Sequence, residues 1–347
     1  MLKNRLSLIE KEIAAVLPEK ADTEWFEPLC GATGSDHELS TIDQFCDPAR
    51  DLLHRGGKRW RPLLMVLLAE ILGGEPSAAV AYKAAPLVEL PHNGSLIIDD
   101  IEDGSNMRRG EPAVHRRYGT DISINAGNLL YFLPTTCIDQ LAVSNELKLH
   151  IYRIYSKYMR RVHFGQGFDI SWHRRSSYFP DEQSYRLMCR LKTGCLAGMA
   201  SEIGAAAGGA GERQVTLLGE NAEELGVAFQ IMDDVVNLET GNPGKMRGDD
   251  ILEGKKSLPM ILLVTHNPQH LGKLASLLEQ ARLSDSEQES SQGLIEEVIE
   301  MVESSGALKE AKKTAAAIYE QVTQRFEQML PACSTTDELF ELLEIMK

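Results

Sequence analysis

The stretch HNGSLIIDDIEDGSNMRRG, residues 92–110, places four acids among the five residues from Asp99 to Asp103, after the apolar Leu96-Ile97-Ile98 and just ahead of Arg108 and Arg109. On a helix Asp99 and Asp103 share a face, with Asp100 turned about 100° away. The pattern returns as FQIMDDVVN at 229–237, where Asp233 and Asp234 match Asp99 and Asp100, and Asn237 stands where Asp103 would be. A solvated face accounts for one such run. Two in the same apolar context point to bound cations, because ionised carboxylates are costly in apolar surroundings unless neutralised. Carboxylates without His or Cys suit magnesium rather than zinc. The forked donors of Arg108 and Arg109 suit phosphate oxygens.

Around these motifs the pattern is helical. Apolar spacing predicts helices near 1–18, 60–73, 77–103, 121–143, 145–166, 182–206, 214–238, 257–281, 294–329 and 336–346, with no strand alternation of useful length. Pro86 and Pro91 fall inside the helix carrying DDIED, where an interior proline costs about 3 kcal/mol or a kink. Thr335 and Glu338 have capping-box spacing ahead of ELFELLEIM. GATGSDHELS (31–40) and SDSEQESSQG (284–293) read as long exposed loops, the second as a disordered tip. No composition shift marks a boundary, so the expectation is a single all-α domain: an N-terminal extension over 1–45, a core over 50–260 and C-terminal helices over 261–347.

The bulk numbers exclude several classes. A net charge of −15 argues against sequence-independent binding to nucleic acid. Six scattered cysteines lack metal-ligand spacing and read as reduced thiols. Charges interrupt every apolar core a signal peptide would need in MLKNRLSLIEKEIAAVLPEK, and PLLMVLLAEIL (62–72) is too short to span a bilayer. A cytoplasmic protein without a transmembrane segment is expected. Nor is there a Gly-rich phosphate loop, since LKTG (191–194) lacks the preceding GxxxxG.

Further basic groups cluster in GGKRWRP (56–62), with Lys58, Arg59 and Arg61, and in GKMRGDDILEGKKSLP (244–259), with Lys245, Arg247, Lys255 and Lys256; Lys192 sits in what reads as a KTG turn. Together with two acidic motifs they suggest two diphosphate pockets. At this point residues from about 50 to 260 resemble the trans-isoprenyl diphosphate synthases, and HNGSLIIDDIED is most similar to geranylgeranyl diphosphate synthase of the eukaryotic type. GGKRWRP, DDIED followed by RRG, GQGFD (165–169), LKTG, FQIMDDVVN and the late basic loop occur in the family's order.

The resemblance implies an all-α isoprenoid synthase bundle around a central cavity, working as a homodimer. It implies head-to-tail condensation of isopentenyl diphosphate with dimethylallyl, geranyl or farnesyl diphosphate. By that likeness Asp99 and Asp103 bind magnesium with the allylic diphosphate and Asp233 holds a further ion, three ions to a site, with Asp100 and Asp234 as nearby carboxylates. Lys58, Arg61, His92 and Arg109 bind isopentenyl diphosphate. Arg108, Lys192, Lys245 and Lys255 bind the allylic diphosphate. Thr193 and Gln230 turn oxygen dipoles toward the carbocation. Gly94 and Ser95 leave the floor below Asp99 open, and Tyr131, Phe132 and His163 form the ceiling that sets a twenty-carbon product. Farnesyl or longer products, a class I terpene cyclase and a non-catalytic subunit of a prenyl synthase heteromer are the rival readings.

Overall fold

The computed structural model describes residues 2–241, 246–283 and 289–346, which fall into two compact units. The first comprises 1–157, 199–219 and 330–342. Its chain begins with α1 (Leu2–Val16), α2 (Thr23–Cys30), α3 (Asp36–His54), α4 (Trp60–Ala84) and α5 (Pro86–Glu102). A hairpin of β1 (Met107–Arg108) and β2 (Glu111–Pro112) follows, then α6 (Val114–Tyr118), α7 (Thr120–Phe132), α8 (Thr136–Gln140) and the first part of α9 (Asn145–His173).

The second unit comprises 158–198, 220–329 and 343–347. It holds the rest of α9, α10 (Glu182–Cys189), the start of α11 (Cys195–Ala207) and most of α12 (Glu212–Glu239). After these come α13 (Asp249–Glu253), α14 (Leu258–His266), α15 (Leu271–Leu283), α16 (Glu289–Ser305) and α17 (Ala307–Met329). The last helix, α18 (Ser334–Met346), lies up to Leu342 in the first unit. The all-α expectation holds: among the described residues the sole sheet is the two-residue pairing of Met107 with Pro112 and Arg108 with Glu111.

In the first unit α4 is the central element. Leu63 through Ala69 are all buried to within a few per cent, so this helix is apolar all round, as a core helix must be. Residues 60–102 are long and apolar enough on length and composition to cross a membrane, yet half of the most apolar window is buried within the fold. The chain also leaves helical geometry at Gly74, with φ 73°. Ala85 separates α4 from α5, so Pro86 opens a new helix rather than interrupting one. Its missing N–H would be unsatisfied at a first turn anyway. Pro91 stays inside α5, which continues through it to Glu102.

Two sequence readings are corrected here. Residues 36–54 form a helix, so only 31–35 of the expected loop remain. Ser35 caps the backbone N–H of Glu38 while the Glu38 carboxylate accepts from the Ser35 N–H. The Thr335/Glu338 spacing, by contrast, is no capping box, because α18 starts at Ser334. Thr335 instead donates to Glu70 at 2.9 Å, and Glu338 accepts from Arg5 at 3.0 Å. Arg5 also reaches Glu70 at 2.6 Å, stapling α1 to α4 and α18. These side chains are 13%, 20% and 8% exposed. Arg5→Ala is expected to cost about 2 kcal/mol, less than a fully buried pair because water reaches this one; urea denaturation measures it. The tip expected at 284–293 lies, for 284–288, outside the described residues.

Candidate active site

In the first unit the DDIED acids sit at the carboxyl end of α5, whose final residue is Glu102. A helix C-terminus carries negative partial charge, so acids there are destabilising unless a cation joins them. Asp100 is fully buried, and its carboxylate accepts from Arg108 Nε at 2.9 Å and from Arg108 Nη2. Asp99 lies 3.8 Å from the same guanidinium. Asp100 thus fixes the Arg108 guanidinium near Asp99. Asp103 caps the helix, one turn beyond Asp99. No group of three or more His, Cys, Asp or Glu suited to a metal occurs among the described residues. An all-carboxylate pair completed by water and phosphate oxygens is how magnesium is ordinarily held, so the donors fit that ion.

The hairpin delivers the arginines. Its two-residue turn is Arg109-Gly110, both with positive φ (55° and 78°), as the tightest hairpin turns require. Arg109 Nη1 donates to the carbonyls of Leu52, at 2.9 Å, and Gly56, and to Asn93 Oδ1 at 3.3 Å. Burial, with Arg59 close by, lowers the Arg109 guanidinium to about 10. At the start of α4, Arg61 stacks 4.4 Å over Trp60 and donates to His92 Nε2 at 3.4 Å. Burial and the neighbouring Arg61 and Arg109 push the His92 imidazole well below its ordinary value, so it is neutral. Lys58 is exposed beside them. Arg61 and Arg109 therefore both reach the middle of α5, at His92 and Asn93.

The chain-length candidates are placed less uniformly. A Cβ on Gly94 would meet the Gly127 carbonyl at 2.7 Å and the Tyr131 ring at 3.3 Å. Gly94 thus lets α5 pack closely on α7, with Tyr131 directly beside it. Tyr131 is 9% exposed, and its carbonyl accepts from the Tyr155 hydroxyl. Phe132 is 72% exposed, and His163 is exposed with its Nδ1 on the Met159 carbonyl. Ser95 donates to the His92 carbonyl at 2.8 Å.

In the second unit Lys192 lies in a π-helical turn, Arg190–Gly194, that joins α10 to α11, so the expected KTG turn is a widened helical one. Glycines let two helices close on it. A Cβ on Gly165 would lie 2.3 Å from the Lys192 amide nitrogen, and one on Gly226 would lie 2.4 Å from Gly194 Cα. Backbone cannot yield as a flexible side chain can. Gly226→Ala is expected to destabilise by about 1–3 kcal/mol through overpacking, read as a lower denaturation midpoint with Lys192 displaced.

The turn aims its side chains at carboxylates. Lys192 pairs with Asp169 of GQGFD, and His173 Nε2 is 2.7 Å from the same group. Burial alone would raise the Asp169 carboxyl, but Lys192 and His173 outweigh it and hold it below the usual range. The Thr193 hydroxyl donates to Gln230 Oε1 at 2.8 Å, and Gln230 donates to Asp234 at 3.0 Å. With its proton so engaged, the Thr193 oxygen keeps lone pairs for an electron-poor partner. Asp234 also accepts from Tyr185 at 2.6 Å and from the Leu258 N–H at 3.1 Å. Burial and nearby Asp250 nonetheless raise it to about 7. Lys255 pairs with Asp250 at 3.3 Å and with Glu253. Asp233 is exposed on α12, and Lys245 lies outside the described residues. Asp169, Tyr185 and Asp250 were not assigned from sequence, although the GQGFD motif already contained the first.

Comparison with known proteins agrees. Residues 42–298 match the family described as polyprenyl synthetase. A geranylfarnesyl diphosphate synthase of Aeropyrum pernix is 36% identical over 65% of this chain and 71% of its own. A geranylgeranyl diphosphate synthase of Methanosarcina mazei is 32% identical over 75% and 74%. The crystal structure of a geranylgeranyl pyrophosphate synthetase from Pyrococcus horikoshii superposes with a TM-score of 0.83 at 25% identity, covering 99% of this chain and 96% of that one. With the acidic and basic motifs in order and the match running through most of their length, this chain belongs to the polyprenyl synthetase family.

Proposed function

We propose that this prenyltransferase condenses isopentenyl diphosphate head to tail with dimethylallyl, geranyl or farnesyl diphosphate, releases diphosphate and stops at the twenty-carbon geranylgeranyl diphosphate. The observation that carries the reading is α5, which sets Asp99 beside Arg108 at its carboxyl end and, midway along, gathers a cluster of Arg61, neutral His92 and Arg109. Such a cluster holds a dianionic group in place without reorganising as charge develops.

Asp99, Asp103 and Asp233 would hold magnesium, three ions to a site, and Arg108, Lys192, Lys245 and Lys255 the allylic diphosphate. Magnesium, when bound, stabilises the departing diphosphate as the allylic carbon–oxygen bond ionises. Lys58, Arg61, His92 and Arg109 would orient isopentenyl diphosphate so that its double bond meets the cation. Thr193 and Gln230 would face that cation with oxygen. The released diphosphate is the base for the last proton, so no protein nucleophile is needed. Relatives named for geranylgeranyl and geranylfarnesyl products support an end point near twenty carbons. The family match runs through residues of both units, which supports reading 1–347 as one isoprenoid synthase domain. A cytoplasmic homodimer without a membrane span belongs to the same proposal.

The test is incubation with magnesium, isopentenyl diphosphate and each allylic starter in turn, followed by dephosphorylation and sizing of the alcohols. A twenty-carbon alcohol from all three supports the reading. A fifteen-carbon or longer alcohol keeps the reaction and overturns the end point. A hydrocarbon released from a single diphosphate would reveal a cyclase, and activity only with a partner chain would reveal a heteromer subunit.

A further inference from the structure

Next to Arg61, His92 and Arg109 lies a second set of polar groups, all within the first unit and none expected to touch substrate. Glu89 is 2% exposed, Asn93 0% and Arg59 4%. Arg59 Nη1 donates to Glu89 Oε1 at 2.8 Å, and Arg59 Nη2 donates to the Leu53 carbonyl at 2.8 Å. Asn93 Nδ2 donates to the same Glu89 oxygen at 2.9 Å and to the Glu89 carbonyl at 2.8 Å. The other end of that amide, Asn93 Oδ1, accepts from Arg109. Arg59 and Arg109 flank Gly57, where a Cβ would lie 3.0 Å from one guanidinium and 3.3 Å from the other. Both arginines have left-handed backbone, φ 48° and 55°, a conformation that persists only where surrounding contacts impose it.

We propose that Glu89 is a positioning residue for isopentenyl diphosphate: it anchors Arg59, which shapes the 55–59 loop leading to Arg61, and through Asn93 it fixes the direction of Arg109. The proposal rests on the reading of Lys58, Arg61, His92 and Arg109 given above. Its chemistry lies in the polarity of the relay. A carboxylate only accepts, so Asn93 must present its NH2 to Glu89 and its oxygen to Arg109. A carboxamide in place of Glu89 would both donate and accept. Asn93 could then turn over, aim its NH2 at Arg109 and drive the guanidinium away. At the same time two adjacent cations would lose their buried counter-charge. The 55–59 loop and Arg109 would shift together, while the carboxylates that face the allylic substrate keep their own Arg108–Asp100 support.

The test is Glu89→Gln in the full chain. The expected result is a KM for isopentenyl diphosphate raised about tenfold or more, since hydrogen bonds to charged groups are worth about that. The KM for the allylic substrate should stay within about twofold. A folded E89Q protein with both KM values raised alike, or neither changed, overturns the proposal and leaves the enzyme assignment intact. If E89Q does not fold, Asn93→Ala carries the test, because it removes the link to Arg109, together with Asn93's own bonds to Glu89, while leaving the Arg59–Glu89 pair in place. The same selective rise is expected, and an unchanged KM for isopentenyl diphosphate overturns the relay. Should the wild-type chain make no product from any starter, the enzymatic reading fails separately. Calorimetric binding of inorganic diphosphate without magnesium then reads the relay, and equal affinity in wild type and variant overturns it.

Discussion

Asp103→Asn is expected to lower kcat by about a thousandfold, with little change in thermal stability. The substitution keeps shape and hydrogen-bonding atoms and removes one charge. Asp103 caps α5 rather than pairing in its interior, so loss of the charge relieves repulsion at a negative helix end instead of opening a core. A magnesium ligand behaves differently: without it the leaving diphosphate is less well neutralised as it departs. Steady-state kinetics at saturating substrates and rising magnesium would separate the two. Extra magnesium should restore only part of the rate. A variant with near wild-type kcat would remove Asp103 from the metal site and leave it as a solvated cap. Asp100→Asn should act by another route, since Asp100 is wholly buried against Arg108 and faces no ligand itself.

The second large effect is on stability. In the metal-free protein Asp234 keeps its proton to about pH 7, while an unfolded aspartate releases it near 3.9. Between those values the folded chain binds more protons, so its stability falls as pH rises through the window. The stabilisation is complete below about pH 4 and lost above about pH 7, a span of roughly 4 kcal/mol at one unit per 1.36 kcal/mol. Asp234→Asn, neutral throughout, should lose this slope and be the more stable protein at pH 8 with magnesium chelated. Urea midpoints at several pH values would show it. Parallel profiles for the two proteins would mean that Asp234 is ionised when buried, sustained by Tyr185, Gln230 and the Leu258 N–H.

What could be read in advance was whatever the chain writes locally. DDIED declares its shared helix face by a spacing of four, and GGKRWRP keeps its cations within a few residues, so both were legible; the first ends α5 and the second leads into α4. Ser35 and Glu38 wrote an equally local signal that the sequence reading passed over in favour of a loop. Other features depend on partners far along the chain. Tyr185 meets Asp234, Asp169 meets Lys192, and Glu89 meets Arg59, none at a spacing that periodicity detects. Thr335 and Glu338 show the converse: their spacing suggested a cap, but Arg5 and Glu70 compete for the same side chains and win. The π turn was hidden because the glycines that pack closely on it, Gly165 and Gly226, lie far from it along the chain. Pro86 misled because a proline without an N–H serves as well to open a helix as to interrupt one, and here it opens α5.

The Arg5 staple also bears on how the molecule is made. Arg5 can meet Glu70 once the first quarter of the chain has left the ribosome, but Glu338 lies 333 residues beyond Arg5. The first unit draws on 1–157, 199–219 and 330–342, so it cannot be finished until 330–342 has been synthesised. The part that is begun first must therefore wait for a segment made long after its first stretch ends at 157, and during the interval the apolar face awaiting α18 stands open to chaperones or to misassembly.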